Sequence, residues 1–154
     1  MKKIIFMSVM ISLFWIGDSS AKDIAHCGKS KGHAFYPNYG IATTNKDIGK
    51  WVPDGISKGR FTISLLDGGK YDVLFVDASG GIFSSTQDGG VVVLVGKTKN
   101  SLSVLVTYPN KTIETYSVYR TIEGKAEMMW TQNRYGAVIP KVAAFSSSCT
   151  FLSF

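Results

Sequence analysis

Helical periodicity is missing from most of this sequence, and cysteine, histidine and proline are scarce. Beyond residue 21 no segment keeps apolar residues at 3.6-residue spacing, which excludes a helical bundle. Two histidines (His26, His33) and two cysteines (Cys27, Cys149) are too few for a closed zinc site, so no metal or cofactor is expected. No histidine follows His33, which removes the partner that a serine nucleophile would need later in the chain. Runs of like charge are also absent. The 17 basic and 11 acidic residues are scattered, giving a net charge of +6 without a clustered stripe. Nucleic acid is therefore not an expected partner.

One long apolar run is present. Met1-Lys2-Lys3 precedes an apolar stretch from Ile4 to Ile16, and Gly17-Asp18-Ser19-Ser20-Ala21 follows. A basic start, an apolar middle and small residues at the end are the three parts of a secretory signal peptide, with the cut after Ala21. The run falls short of the roughly 20 residues that span a bilayer. Residues 1–21 are thus expected to be removed, leaving no transmembrane anchor, and the product is expected to be secreted or periplasmic. In that setting an even cysteine count predicts a Cys27–Cys149 disulfide.

Glycine and turn dipeptides punctuate the rest. Asp67-Gly68-Gly69, Ser79-Gly80-Gly81, Asp88-Gly89-Gly90, Pro109-Asn110 and Glu123-Gly124 separate short segments rich in Val, Ile, Thr, Tyr and Phe. These segments predict strands over 60–66, 71–78, 82–86, 91–97, 101–108, 112–121, 125–133 and 137–145. The segment 91–97 (VVVLVGK) is apolar on both faces, which predicts a central strand. Short links predict antiparallel neighbours. The fold class is all-β, an antiparallel meander of about eight strands in a closed or nearly closed barrel, with a two-sheet β-sandwich as the alternative. Residues 22–59 are rich in glycine and predict an irregular N-terminal lead, with one strand near 33–36, packed on the β domain of residues 60–154. Together 22–154 make one domain.

Motifs of catalysis fail on inspection. Gly28-Lys29-Ser30-Lys31-Gly32 matches G-x-S-x-G, but it stands beside a disulfide cysteine in a glycine-rich lead, without the strand–turn–helix context of a nucleophile elbow. Gly96-Lys97-Thr98 and Gly28-Lys29-Ser30 resemble the end of a phosphate-binding loop, yet Val91 and Asp23 stand where its first glycine belongs. The Asp-Gly pairs lack the alternating carboxylates of a calcium loop. No enzyme activity is expected.

Two groups of side chains remain. Phe75, Tyr108, Tyr116, Met128 and Trp130 lie on strand faces that also carry hydroxyl and amide groups. They predict either a packed core or the wall of a pocket for a small apolar or amphipathic ligand. Phe35, Tyr36, Tyr39 and Trp51 concentrate aromatics in the lead and predict a surface patch for a protein partner. The first group makes the protein a ligand-binding barrel. The second makes it an interaction factor with a solid core, such as an inhibitor, adhesin or envelope-associated protein.

Overall fold

A computed structural model describes residues 21–38, 47–76 and 79–154. The expected leader up to residue 20 and Tyr39 of the expected patch lie outside the described residues.

Ten strands run in chain order: β1 (Lys22–Phe35), β2 (Trp51–Ile56), β3 (Arg60–Leu65), β4 (Tyr71–Val76), β5 (Ile82–Ser84), β6 (Val91–Lys97), β7 (Ser101–Tyr108), β8 (Thr112–Arg120), β9 (Ala126–Arg134) and β10 (Lys141–Leu152). Turn chemistry sets several of the connections. At the β8–β9 turn Gly124 takes φ 80°, and Thr121 N donates to Lys125 O at 2.8 Å. At the β7–β8 turn Asn110 takes φ 60°, a conformation asparagine tolerates, and Lys111 N donates to Tyr108 O.

The strands form one antiparallel sheet in the order β5-β4-β3-β1-β10-β9-β8-β7-β6, with β2 also paired to β1. This sheet curls into a half-barrel. Strands adjacent in sequence are adjacent in space almost throughout, and the meander joins its ends by pairing β1 with β10. β2 and β3 use the same edge of β1: β2 lies opposite residues 30–35 and β3 opposite residues 22–27. They act as one strand interrupted at Ser57-Lys58-Gly59. Among the described residues no ladder joins β5 to β6. The turn between them folds back instead, with Ser85 N donating to Val73 O at 2.9 Å and Gly90 N to Ser85 O at 2.7 Å.

The inner face carries the core. Tyr116, Trp130 and Phe145 stack across β8, β9 and β10, with ring centroids 5.7 Å apart for Tyr116–Trp130 and 4.2 Å for Trp130–Phe145, and Phe61 of β3 meets Trp130 at a tilt, 5.4 Å away. Leu102, Val104, Val106, Val118 and Met128 fill the space beside them and are completely buried. Each such side chain contributes about 1.5–3 kcal/mol on burial. The Cys27–Cys149 disulfide joins residues directly opposite each other on β1 and β10, with α-carbons 3.8 Å apart.

Four elements differ from the sequence reading, the first being β2 at Trp51–Ile56, a strand where an irregular lead was expected. Residues 22–35 form the longest strand, despite Gly28 and Gly32, because both edges of this segment are taken up by ladders. The last strand begins at Lys141 rather than Ala137 and runs through Ser146-Ser147-Ser148, residues of low strand preference held by β1 and β9. Finally, β6 stands at the edge of the sheet, not at its centre. It is apolar on both faces although only Val92 packs against the core, and most of its side chains are exposed.

Candidate functional site

The five residues expected to line a pocket occupy the interior unequally. Tyr116, Met128 and Trp130 come together on β8 and β9, are at most 3% exposed, and touch one another or neighbouring core rings. Phe75 lies opposite Phe61 on β4 and stacks on Phe83, with centroids 5.4 Å apart. Tyr108 is half-buried on β7.

One end of the interior is polar. Glu114 on β8 is buried and accepts hydrogen bonds from Tyr116 Oη at 2.7 Å and from Gln132 Nε2 at 2.6 Å. Burial pushes the Tyr116 phenol well above its ordinary range, and the Glu114 charge beside it pushes further. Tyr108 is raised too, first by burial, with the Ser85 hydroxyl partly offsetting the effect. Ser85 and Tyr108 are neighbours, yet among the described residues neither hydroxyl completes a hydrogen bond of sound geometry. The arrangement satisfies a buried carboxylate, and both Glu114 oxygens are engaged in doing so.

The expected surface patch is partly assembled. Phe35 and Trp51 are cross-strand partners on β1 and β2 with ring centroids 5.6 Å apart, and Trp51 is 60% exposed. Tyr36 is half-buried beside them. Burial raises its phenol, and its carbonyl accepts from Gly49 N at 2.8 Å.

A groove of about 860 Å³ opens where β1 bulges. Three steps along β1, from Cys27 to Ser30, span the interval that two steps cover on β10, from Cys149 to Ser147. The extra residue falls at Gly28-Lys29, next to the break between β2 and β3. Lys29, Lys31, Ser57, Glu127, Ser146 and Ser148 are among the lining residues. Ser147 Oγ donates to Gly28 O at 2.8 Å, while Ser30 Oγ is buried with no hydrogen-bond partner among the described residues. The sequence signal for this groove was the G-x-S-x-G match together with the serine triplet of β10. Its chemistry is that of a bulge. Ser30 turns inward, whereas His33 is exposed at an odd number of steps along the same strand, so His33 does not face the hydroxyl.

Gly32 and Gly55 mark close approaches of β1 to its neighbours. A Cβ on Gly32 would overlap the Ala144 carbonyl oxygen, and one on Gly55 would lie 2.5 Å from Ser30 O. Among the described residues no three His, Cys, Asp or Glu side chains group as a metal site, and no helix is long and apolar enough to cross a membrane. Comparisons with protein-family models, curated proteins and solved structures find no match for this chain.

Proposed function

We propose that this is an exported interaction protein that binds a polypeptide partner through the outer face of β1 and β2, and does not carry a small molecule in its interior. The observation that carries the reading is the exposed Trp51 against Phe35, set on a sheet whose inner face is packed by Tyr116, Met128 and Trp130. Exposed tryptophan next to a second ring is the usual chemistry of an interface anchor.

The neighbouring residues extend that anchor into a surface. Phe35, His33 and Lys31 alternate along β1 and share its outer face, directly opposite Trp51, Pro53 and Gly55 of β2. The row leads from the aromatic pair into the lysine- and serine-lined groove. A partner segment lying along it meets an apolar anchor at one end and hydroxyl and ammonium donors at the other, which suits a chain bearing an aromatic or aliphatic residue followed by carboxylates. Export is supported by the Cys27–Cys149 disulfide, a bond that persists in oxidising compartments.

The test is native mass spectrometry of the protein isolated from its own host, paired with Trp51→Ala and Lys31→Glu variants whose thermal unfolding matches the parent. A co-purifying polypeptide lost in both variants supports the reading. A small apolar molecule released only on denaturation, and indifferent to both substitutions, overturns it.

A further inference from the structure

We propose that the loop between β9 and β10 docks this protein on an anionic lipid surface, with Val138 and Ile139 inserted among the acyl chains and Lys111 and Arg134 at the headgroups. This loop is a separate element from the β1–β2 face, and the inference stands independently of the polypeptide reading. Residues 135–140 (Tyr-Gly-Ala-Val-Ile-Pro) carry no charge. The other hairpin turns from β6 onward each hold a lysine: Lys99, Lys111 and Lys125. Turns face water and are ordinarily polar, so an apolar turn calls for an apolar partner.

The tip is exposed and braced. Val138 is 67% and Ile139 45% exposed, and Tyr135 is exposed beside them. Tyr135 N and Gly136 N both donate to Lys111 O at 3.1 Å, and Pro140 is buried at the far end of the loop. A Cβ on Gly136 would overlap Asn110 O, so this glycine lets the loop pack directly on the β7–β8 turn. Both ends of the loop are thereby held, with Val138 and Ile139 between them. Behind the tip, Val142 of β10 and Ile113 of β8 share the outer face, each opposite Asn133 of β9, and both are exposed.

Convexity and charge select a lipid surface as the occupant. A specific protein interface takes roughly 20–30 residues from each side. A loop tip at the end of a sheet supplies far fewer, whereas a bilayer receives a convex apolar tip without a matching pocket. Bases bracket the tip. Arg134 ends β9, Lys141 begins β10 directly opposite it, and Lys111 adjoins Thr112, the β8 partner of Arg134. Of the acids toward this end, Asp54 is bound by Lys141 Nζ at 2.8 Å and Asp47 lies before β2. Among the described residues Lys111 and Arg134 make no ion pair. Lysine and arginine beside an inserted segment are drawn to anionic headgroups, and tyrosine, here Tyr135, is favoured at the boundary between headgroups and chains.

Flotation of the protein with vesicles, after expression of the full chain, tests this. Phosphatidylcholine vesicles are compared with vesicles in which about a third of the lipid is phosphatidylglycerol. The parent is expected to bind the mixed vesicles, and to bind less well to neutral vesicles or in raised salt. Val138→Ser with Ile139→Ser removes the apolar tip and is expected to weaken binding about tenfold or more. Lys111→Gln with Arg134→Gln is expected to weaken binding to the mixed vesicles about tenfold and to leave residual binding to neutral vesicles unchanged. Each variant is checked for parental circular dichroism and melting temperature; Lys111 braces the loop only through its carbonyl, which the substitution keeps. In Val138→Trp, brominated acyl chains are expected to quench fluorescence beyond the quenching seen in the parent. A parent that ignores the mixed vesicles overturns the proposal. So does binding that the tip variant leaves unchanged, including binding through an uncleaved leader, an unquenched Val138→Trp, or a loop that captures a polypeptide and no vesicle.

Discussion

At the scale of single residues, the polar end of the core has the sharpest consequence for pH. The Tyr116 phenol is held protonated by burial and by the Glu114 charge. Its folded pKa therefore lies above the unfolded value near 10. The stability linked to this group is fully present below that value and is lost as pH rises toward the folded pKa, because the folded state then holds the proton that the unfolded state gives up. Unfolding in urea at a series of alkaline pH values should show stability falling above about pH 10. Absorbance titration should show Tyr116 ionising together with unfolding. Tyr116→Phe removes one of the two donors to Glu114, so it should cost about 1–3 kcal/mol at neutral pH while making the alkaline decline shallower. A variant as stable as the parent would mean that the Tyr116–Glu114 bond contributes nothing.

Two glycines of one motif divide cleanly at this scale. Gly32 faces backbone atoms, with Phe145 Cα 2.7 Å from an added Cβ, whereas at Gly28 the nearest atom, Ser148 O, is 3.9 Å away. Gly32→Ala must push β1 from β10 and should cost about 1–3 kcal/mol or more. Gly28→Ala should change stability by less than about 0.5 kcal/mol. Chemical denaturation of the pair is the check, and equal losses would contradict the close approach at Gly32.

At the scale of elements, strand alternation was readable wherever packing on one face wrote it into the sequence. Segments such as Ser101–Tyr108 and Thr112–Arg120 alternate because their inner residues meet the core, and both appear almost to the residue. β1 was obscured for the opposite reason. Its glycines answer to close backbone approach and a bulge, not to turns, and a single chain cannot display its neighbours. The apolar run of β6 misled because a strand covered on both faces and a bare edge share one composition. The aromatic pair Phe35–Trp51 was legible as an enrichment, though its register was not. The groove was visible only as a motif that failed its chemical test.

The bulge makes a prediction about β1 as a unit. Deleting Lys29 removes the extra residue and leaves the β1–β10 register unchanged on either side. Deleting Lys31 instead places every residue on one side of the cut onto the wrong face. The Lys29 deletion should therefore fold cooperatively with a shallower groove, and the Lys31 deletion should not. Cooperative thermal unfolding of both proteins would refute the register argument.

At the scale of the molecule, the first and last strands of the chain meet in the middle of the sheet. β1 pairs with β10, and Cys27 and Cys149 are separated by 122 positions along the chain. That was the one long-range contact the sequence announced, because a pair of cysteines is its own signal, whereas a register of valines and serines is not. Closing so long a loop must precede any gain from the β1–β10 ladder, which makes this pairing slow to form without a covalent tie. On the chain-entropy model the disulfide restricts the unfolded chain by about 4–5 kcal/mol, chiefly through its loop length. A Cys27→Ala, Cys149→Ala variant should then be less stable by up to about that amount, and most of the loss should appear as slower refolding. Stopped-flow refolding of the two proteins separates the cases. If the variant refolds at the parental rate and merely unfolds faster, the bond fastens an already formed β1–β10 ladder and does not bring its strands together.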